Sequence, residues 1–564
     1  MTANPPDDVA ADAIVPASVV PAGRAGLGRH TTLMASGTAV SRVLGFVKAG
    51  LLVYAIGFTG NAANTFAVGN KLPNILYLLI GGGVLNAVLV PQVVRAYQRP
   101  GADGDDYVNR LLTLGSALLA VLAAVLTVGA PLLVAAYTNM DPGQTGLAVL
   151  FAYWCLPQVF FYGLYTLIGQ VLNARGSFGP LMWAPVANNL VSMAGIGAFL
   201  AVYGYYDGAT MDATTAWTGG RVALLAGTTT LGVVAQALVL LLPLYRSGFR
   251  YRPRWGVRGA GLGQAGNVAS WTFAGLVVGQ LGVLVLTNVA SAVSDTAGGG
   301  VGLAGNAVYD YAFLIFMLPH SLVTVSLLTA LFTGLSTRAA AGDVSGVRSD
   351  LSFGLRTIGL FTLIAAAVLM VLAVPFARIV QPAASAQEVS ALAGVIVVLV
   401  VGLPMFGVWS MAQRVFYAYA DARSMFPIQV AMAVVVALGA LGAQAFTQPR
   451  YWVDIAGLAT SVSYAIGAIV AVAMLRRRLD GIDAGRVLRL YVRAGLAAGV
   501  AATTGWATTH AVGGLDGDRG RALVVCVGVG LLMSGVYVAL LRLMRVHELD
   551  DLLRPLLRRM GRSA

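Results

Sequence analysis

The sequence predicts an all-α polytopic membrane protein with about fourteen transmembrane helices, built as two six-helix lobes related by a parallel repeat plus two extra C-terminal helices. Three observations carry this expectation. Hydrophobic residues make up 58% of the 564 residues and charged residues only 10%, whereas a soluble domain carries roughly a quarter charged residues. So little charge suffices only where the outer surface faces lipid. The apolar residues fall in runs long enough to cross a hydrocarbon core, which takes about 20 helical residues. The net charge of +13 comes mainly from arginines in the short gaps between those runs, a placement that reads as membrane topology and contact with anionic lipid rather than as nucleic-acid binding.

Spans are expected near 33–57, 63–94, 110–137, 146–173, 178–203, 222–245, 263–292, 302–336, 352–376, 388–420, 425–446, 452–475, 490–511 and 521–543. Several exceed about 25 residues, so tilts or kinks are expected. Residues 1–30, rich in Pro, Ala and Asp, read as a disordered cytoplasmic tail with no cleavable signal peptide. With the N-terminus inside, the inner loops hold Arg95, Arg99, Arg110 and Arg175, the run from Arg246 to Arg258, then Arg338, Arg348, Arg356 and Arg423, and the block from Arg476 to Arg493. The outer loops hold only Arg221, Arg378, Arg450, Arg519 and Arg521. Positive loops stay cytoplasmic, so both termini, including the basic tail 544–564, are expected on the inner face of the plasma membrane.

The lobes are expected at 31–246 and 262–476, with the extra pair at 489–543. Leu72-Pro73 recurs as Leu318-Pro319, Leu156-Pro157 as Leu403-Pro404, Ala174-Arg175 as Ala422-Arg423, and Pro180 as Pro427, each 246 to 248 residues later. That offset corresponds to six spans. Six is even, so the halves share one orientation and are related by an axis along the membrane normal. Two similar lobes around a midplane site favour alternating-access transport over a static scaffold.

Ionisable residues inside spans are costly, about 2.5–3.5 kcal/mol each at a helix centre, and normally face a cavity or a partner. Arg42 lies about 14 Å along the first span, with Lys48 one to two turns further. Both suit a cationic cavity for a phosphate-bearing substrate, Arg as a bidentate fork and Lys as a point charge; pairing with a polar group on a neighbouring helix is the alternative. Lys71-Leu72-Pro73-Asn74, followed by Gly81-Gly82-Gly83, reads as a bent gating helix, because Pro73 removes a backbone donor and the glycines weaken the helix. Lys71 and Asn74 join the candidate binding residues, as does Arg414, which could instead snorkel. Asp310 reads as an interfacial, solvated carboxylate. Asn86, Asn188 and Asn189 suit either cavity lining or interhelical hydrogen bonds.

The four histidines show no metal spacing, the chain has no P-loop, and Cys155 and Cys526 lie in apolar runs as small buried residues. The acidic pair Asp105-Asp106 has no partner cluster of the kind a metal-dependent prenyl or glycosyl transferase needs. No cofactor is expected.

Ser41-Arg42-Val43-Leu44-Gly45-Phe46, Lys71-Leu72-Pro73-Asn74 and Gly83-Val84-Leu85-Asn86-Ala87-Val88-Leu89-Val90-Pro91 resemble the first two spans of the MurJ (MviN) family. Those proteins are lipid II flippases of the multidrug/oligosaccharidyl-lipid/polysaccharide exporter superfamily. Val171-Leu172-Asn173-Ala174-Arg175 and Arg414-Val415-Phe416-Tyr417-Ala418 extend the resemblance, and Phe316-Met317-Leu318-Pro319-His320-Ser321-Leu322 looks like an actinobacterial variant of the eighth span. The resemblance implies a substrate of lipid II, an undecaprenyl-diphosphate-linked disaccharide pentapeptide, moved from the inner to the outer leaflet. It implies cavity cations on the diphosphate, a groove formed by the last two spans for the lipid tail, and cell-wall synthesis or divisome proteins as partners. Arg42 maps onto a functional arginine of the family and Lys48 onto a second, with the charge kept and the fork lost. The chain departs from the family at Asn64, where an acidic residue is usual, and at Tyr77 and Leu314, where arginines are usual. Spans seven and eleven lack a carboxylate, so the sodium site of some members has no evident equivalent. A related undecaprenyl-linked glycan as cargo, or a non-transporting scaffold with the same fold, are the alternatives.

Overall fold

A computed structural model describes residues 24–77, 79, 103–175, 177, 179–256, 265–293, 302–380, 385–513, 519–546 and 548. The described residues are helical throughout their long elements. Within lipid a helix satisfies every backbone polar group from its own segment, which is why the apolar runs take this form. The first half comprises α1 (Arg24–Ile56), α2 (Gly60–Tyr77), α3 (Asp103–Val128), α4 (Ala130–Tyr137), α5 (Pro142–Cys155), α6 (Gln158–Ala174), α7 (Gly179–Tyr203), α8 (Thr228–Leu238) and α9 (Leu241–Arg246). The second comprises α10 (Ala265–Ala292), α11 (Asn306–Pro319), α12 (Val325–Ala340), α13 (Val344–Val371), α14 (Ala373–Val380), α15 (Ala386–Val400), α16 (Leu403–Ala418), α17 (Ala422–Phe446) and α18 (Pro449–Arg478). Two further helices, α19 (Ala484–Ala511) and α20 (Arg519–Leu543), close the chain.

Among the described residues, ten helices are long and apolar enough to cross a membrane, or eleven with the bent pair α15–α16 counted as one. The expected fourteen are therefore not all reached by length and apolarity. The expected spans 33–57, 63–94 and 490–511 are the ones outside that set. Their helices carry Arg42 and Lys48, the polar series Asn61, Asn64, Asn70, Lys71 and Asn74, and a threonine-rich stretch from Thr503 to Thr509. The helix α1 starts at Arg24, inside the segment 1–30 assigned to the tail. The glycines Gly81, Gly82 and Gly83, and most of the tail 544–564, lie outside the described residues.

Helix starts coincide with short polar signals. Asp141 accepts from the backbone N–H groups of Gly143 and Gln144 ahead of Pro142, Ser385 and Glu388 form a capping box, and Asp343 and Asp421 cap α13 and α17. Each supplies an oxygen to an otherwise unpaired N–H. The first halves of the repeated dipeptides break their spans at matching places. Span four is interrupted at Leu156-Pro157, and span ten bends by 44° between α15 and α16. A break leaves carbonyls without helix donors, and in each case the sixth span of the same half supplies one. The Thr230 hydroxyl donates to the Trp154 carbonyl at 2.7 Å. The Ser461 hydroxyl reaches the Val398 and Leu399 carbonyls at 2.6 and 3.0 Å. Gly402 sits directly against Ser461; a Cβ there would stand 2.6 Å from its Oγ and 2.7 Å from its Cα.

The helices pack in two groups. In the first, α1 lies along α7, α8 on α6 and α7, α3 on α6, and α2 on α5. In the second, α10 lies along α17, α17 and α16 on α18, α13 on α16, and α11 on α15. The hairpin of α19 and α20 packs on α13 and α14, around Leu490, Ala494, Ala501, Val529 and Met533. The groups meet through α2 with α10 and α11, and α4 with α10. Val53 and Phe58, at the end of α1, are buried in the core of the second group with Phe316, Leu392 and Leu403.

The polar contacts between the groups cluster near the α1–α2 junction. Thr59 donates to Glu388 at 2.6 Å, the Asn64 Oδ1 accepts the Ala307 N–H at 3.0 Å, and the Asn139 N–H donates to Ser291 at 2.7 Å. Lys71 Nζ lies 2.8 Å from Asp310 Oδ1 and 3.4 Å from the Asn306 Oδ1. Asp310, its side chain still 38% exposed, is thus an ion-pair partner across the seam.

Two outcomes follow from this packing. Removing one partner of a partly buried ion pair leaves the other charge uncompensated, whereas removing both is better tolerated. Lys71→Met and Asp310→Asn are each expected to lower stability by about 1–2 kcal/mol, and the double variant by less than either, read as melting temperatures of purified protein in detergent. Gly402→Ala is expected to cost about 1–3 kcal/mol by overpacking against Ser461, while Gly442→Ala, with nothing within 4 Å, leaves the melting temperature unchanged or slightly raised.

Candidate functional site

A cavity of about 530 Å³ lies between the helix groups, bounded by α1, α2, α6, α7 and α8 on one side and α11 on the other. Arg42 and Lys48 both line it. They project from α1, which runs against α7 through a specific polar contact: the Asn189 side chain donates to the Ser41 carbonyl at 2.9 Å. That hydrogen bond and the small Gly45 let the two helices approach and aim the cationic face of α1 inward. Among the described residues neither Arg42 nor Lys48 forms an ion pair or a hydrogen bond, and no carboxylate is among the side chains that line the cavity. Two unneutralised cations in a low-dielectric recess attract an anion far more strongly than the same charges in water.

The remaining lining is mixed. Asn70, Asn189, Thr229 and Ser321 offer hydrogen bonds, while Phe66, Leu314 and Met317 offer apolar surface. The tyrosines Tyr165 and Tyr311 add rings with polar tips, and the Tyr165 hydroxyl donates to the Leu181 carbonyl at 3.0 Å. A recess of this volume is within the usual range for a small-molecule site. It can enclose a diphosphate with part of an attached group while a long apolar tail remains outside.

The structure gathers some of the expected site residues and separates others. Arg42 and Lys48 stand together in the cavity, with Asn189 beside them. Lys71 is not in the lining; it is held by Asp310. Asn74 is exposed and donates to the Asn70 carbonyl one turn back at 2.9 Å. Arg414 lies over the Phe332 ring at 5.5 Å, away from the cavity. Pro73 is buried inside α2, which continues to Tyr77. Asn188 takes the interhelical role: it donates to Gln236 at 2.8 Å and accepts from Ser192 at 3.1 Å.

Sequence reasoning passed over Asn70, Thr229, Tyr311 and Ser321. One signal was present for Asn70, which follows Phe66 by four residues on the same face of α2. The three positions that depart from the resembled family have distinct surroundings. Asn64 is fully buried and holds the first turn of α11. The Tyr77 hydroxyl is 2.8 Å from that of Thr166, and its ring stacks on Tyr162 with centroids 5.0 Å apart. Leu314 lines the cavity but brings no charge.

Comparison with known proteins agrees with this architecture. The family description "Lipid II flippase MurJ" matches residues 53–513. A protein of Synechocystis sp. named as a probable lipid II flippase MurJ is 24% identical over 483 residues, covering 84% of this chain and 86% of its own length. One from Burkholderia cenocepacia named lipid II flippase MurJ is 26% identical over 410 residues, covering 71% and 74%. A solved structure of a lipid II flippase MurJ in an inward closed conformation superposes with a TM-score of 0.67 at 18% identity, covering 90% of this chain and 98% of that one. A multidrug resistance MATE family transporter of the MOP superfamily, in an inward-facing conformation, superposes with a TM-score of 0.62 at 17% identity, covering 78% and 94%. The polytopic helical fold, its seam and the family match over most of the chain lead to one conclusion: this chain belongs to the lipid II flippase MurJ family.

Proposed function

We propose that the chain carries lipid II, or a closely related undecaprenyl-diphosphate-linked glycan, from the inner to the outer leaflet by alternating access. The observation that carries this reading is the pair of unneutralised cations, Arg42 and Lys48, in a recess between two helix groups. A diphosphate meets both cations there, with the guanidinium taking two oxygens and the ammonium a third. The mixed polar and apolar lining suits a glycan on one side and the start of a polyprenyl chain on the other. The two helix groups act as the moving lobes, 31–246 and 262–476. Contacts such as Thr59–Glu388 and Asn64–Ala307 close one end, and they must part for the cavity to face the other way. The arginine bias supports a plasma-membrane orientation with both termini cytoplasmic, which places the closed end outside. The hairpin 489–543 offers apolar surface for the lipid tail. Cell-wall synthesis proteins at the same membrane are the partners this cargo implies. The family match supports transport as the reading.

Leu314, apolar where relatives of the resembled type carry an arginine, favours a cavity that grips its cargo with fewer charges, and therefore a second reading in which a related lipid-linked glycan is the main substrate.

The test is rescue of a bacterium depleted of its own lipid II flippase, with wild-type chain and Arg42→Ala at equal membrane abundance. Losing a charge-assisted contact of about 1.5–3 kcal/mol weakens substrate binding by roughly 10- to 150-fold, so wild type is expected to rescue and Arg42→Ala to fail. Rescue by both would remove the role of Arg42. Failure of both, with each correctly inserted, would turn the cargo assignment to another lipid-linked glycan.

A further inference from the structure

A second recess, of about 240 Å³, lies far from the central cavity where the α19–α20 hairpin meets α13. Arg356 of α13, Arg486, Arg489 and Arg493 of α19, and Arg545 just beyond α20 line it, with Glu548. Arg486, Arg489 and Arg493 follow one another at helical spacing, so they form one stripe along the first turns of α19. Glu548 is held by Arg356, and Arg356 Nε also donates to the Ser352 carbonyl at 3.2 Å. One carboxylate therefore faces five arginines, and the recess keeps a strong positive excess. Like charges gathered this closely repel unless an anion joins them.

The backbone sets where Arg545 stands. Arg545 terminates α20 in the left-handed region, with φ of 53°, and the Val546 N–H returns to the Leu541 carbonyl at 3.0 Å. Helices commonly end this way on glycine, because a side chain is disfavoured there. Here Arg545 occupies that position and lines the recess.

The surroundings indicate what the anion is attached to. Leu488, Val492 and Leu496 form an apolar stripe on the neighbouring face of α19, exposed to 66%, 52% and 59%. A cationic recess at the end of a membrane helix, continuous with lipid-facing apolar surface, matches an amphiphile with a phosphate head and acyl chains. A free phosphate would have no use for the stripe. We propose that this recess binds the phosphate of an anionic phospholipid headgroup from the leaflet beside it, with the acyl chains along Leu488, Val492 and Leu496. The bound lipid would neutralise the arginines and fasten the hairpin to α13. The headgroup recess shares no lining residue with the central cavity.

The test uses the full chain, purified and delipidated in a nonionic detergent. Binding of short-chain phosphatidylglycerol, short-chain phosphatidylcholine and inorganic phosphate is measured by native mass spectrometry and by the shift in melting temperature. Arg489→Gln/Arg493→Gln removes two charges from the recess. Arg476→Gln/Arg477→Gln removes two exposed charges from the end of α18, outside it. Phosphatidylglycerol is expected to bind and raise the melting temperature, with phosphatidylcholine and inorganic phosphate far weaker. The recess variant is expected to weaken phosphatidylglycerol by about thirty-fold, while the α18 variant binds as wild type. A recess variant that elutes as a monodisperse species and binds phosphatidylglycerol unchanged would overturn the site. Equal losses in the α18 variant would reduce it to general surface charge. Inorganic phosphate binding as tightly as phosphatidylglycerol would overturn the lipid assignment in favour of a soluble anion.

Discussion

A charge within a membrane has to find an opposite charge, water or a ligand, and the few charges inside this chain are divided among those fates in a way that organises the rest of the structure. Lys71 and Asp310 satisfy each other across the seam between the helix groups. Their pairing, with Asn64 holding the first turn of α11 and Thr59 bonded to Glu388, joins the groups at one end. Among the described residues Arg42 and Lys48 have no such partner, and they line the cavity that the joined groups leave between them. One pair of charges closes a seam; the other pair is available to cargo. Moving a single charge from one class to the other would alter both the seam and the cavity.

The backbone obeys the same constraint. Each half contains a span broken at a proline-containing dipeptide, and each break exposes carbonyls within the membrane. Thr230 and Ser461 cover them from the sixth span of their respective halves. The repeat therefore extends below the level of helix order, to how an interrupted helix is made tolerable in lipid.

Much of this was legible in the sequence because it rests on one-dimensional patterns. Apolar runs, arginine-bearing gaps and the recurrence of Leu-Pro at a constant offset are written along the chain. Arg42 and Lys48 were legible because a cation deep in an apolar run has few alternatives. The partner of Lys71 was not, since Asp310 lies far away in the chain and only the docking of α2 on α11 brings it within 2.8 Å. Arg414 shows the same difficulty: its sequence position suited a cavity, yet it settles over Phe332. Three of the fourteen expected spans do not stand out by apolarity among the described residues, for a related reason. The helices richest in polar residues are those that face the seam, the cavity or the hairpin recess, and polarity that serves a function weakens the apolar signal by which a span is recognised. Asn64, Tyr77 and Leu314 sit where the resembled family carries charge, and their surroundings here are packing, an aromatic stack and bare apolar lining.

The central claim is that the seam near Thr59 and Glu388 opens during each transport cycle. The most direct measurement joins Thr59→Cys and Glu388→Cys with a short thiol-reactive cross-linker, in a background with Cys155 and Cys526 replaced, and follows translocation of lipid II in vesicles. The account predicts that the joined protein still binds substrate but no longer translocates it, and that a cleavable linker restores translocation on reduction. Translocation at the full rate with the two residues held together would contradict it.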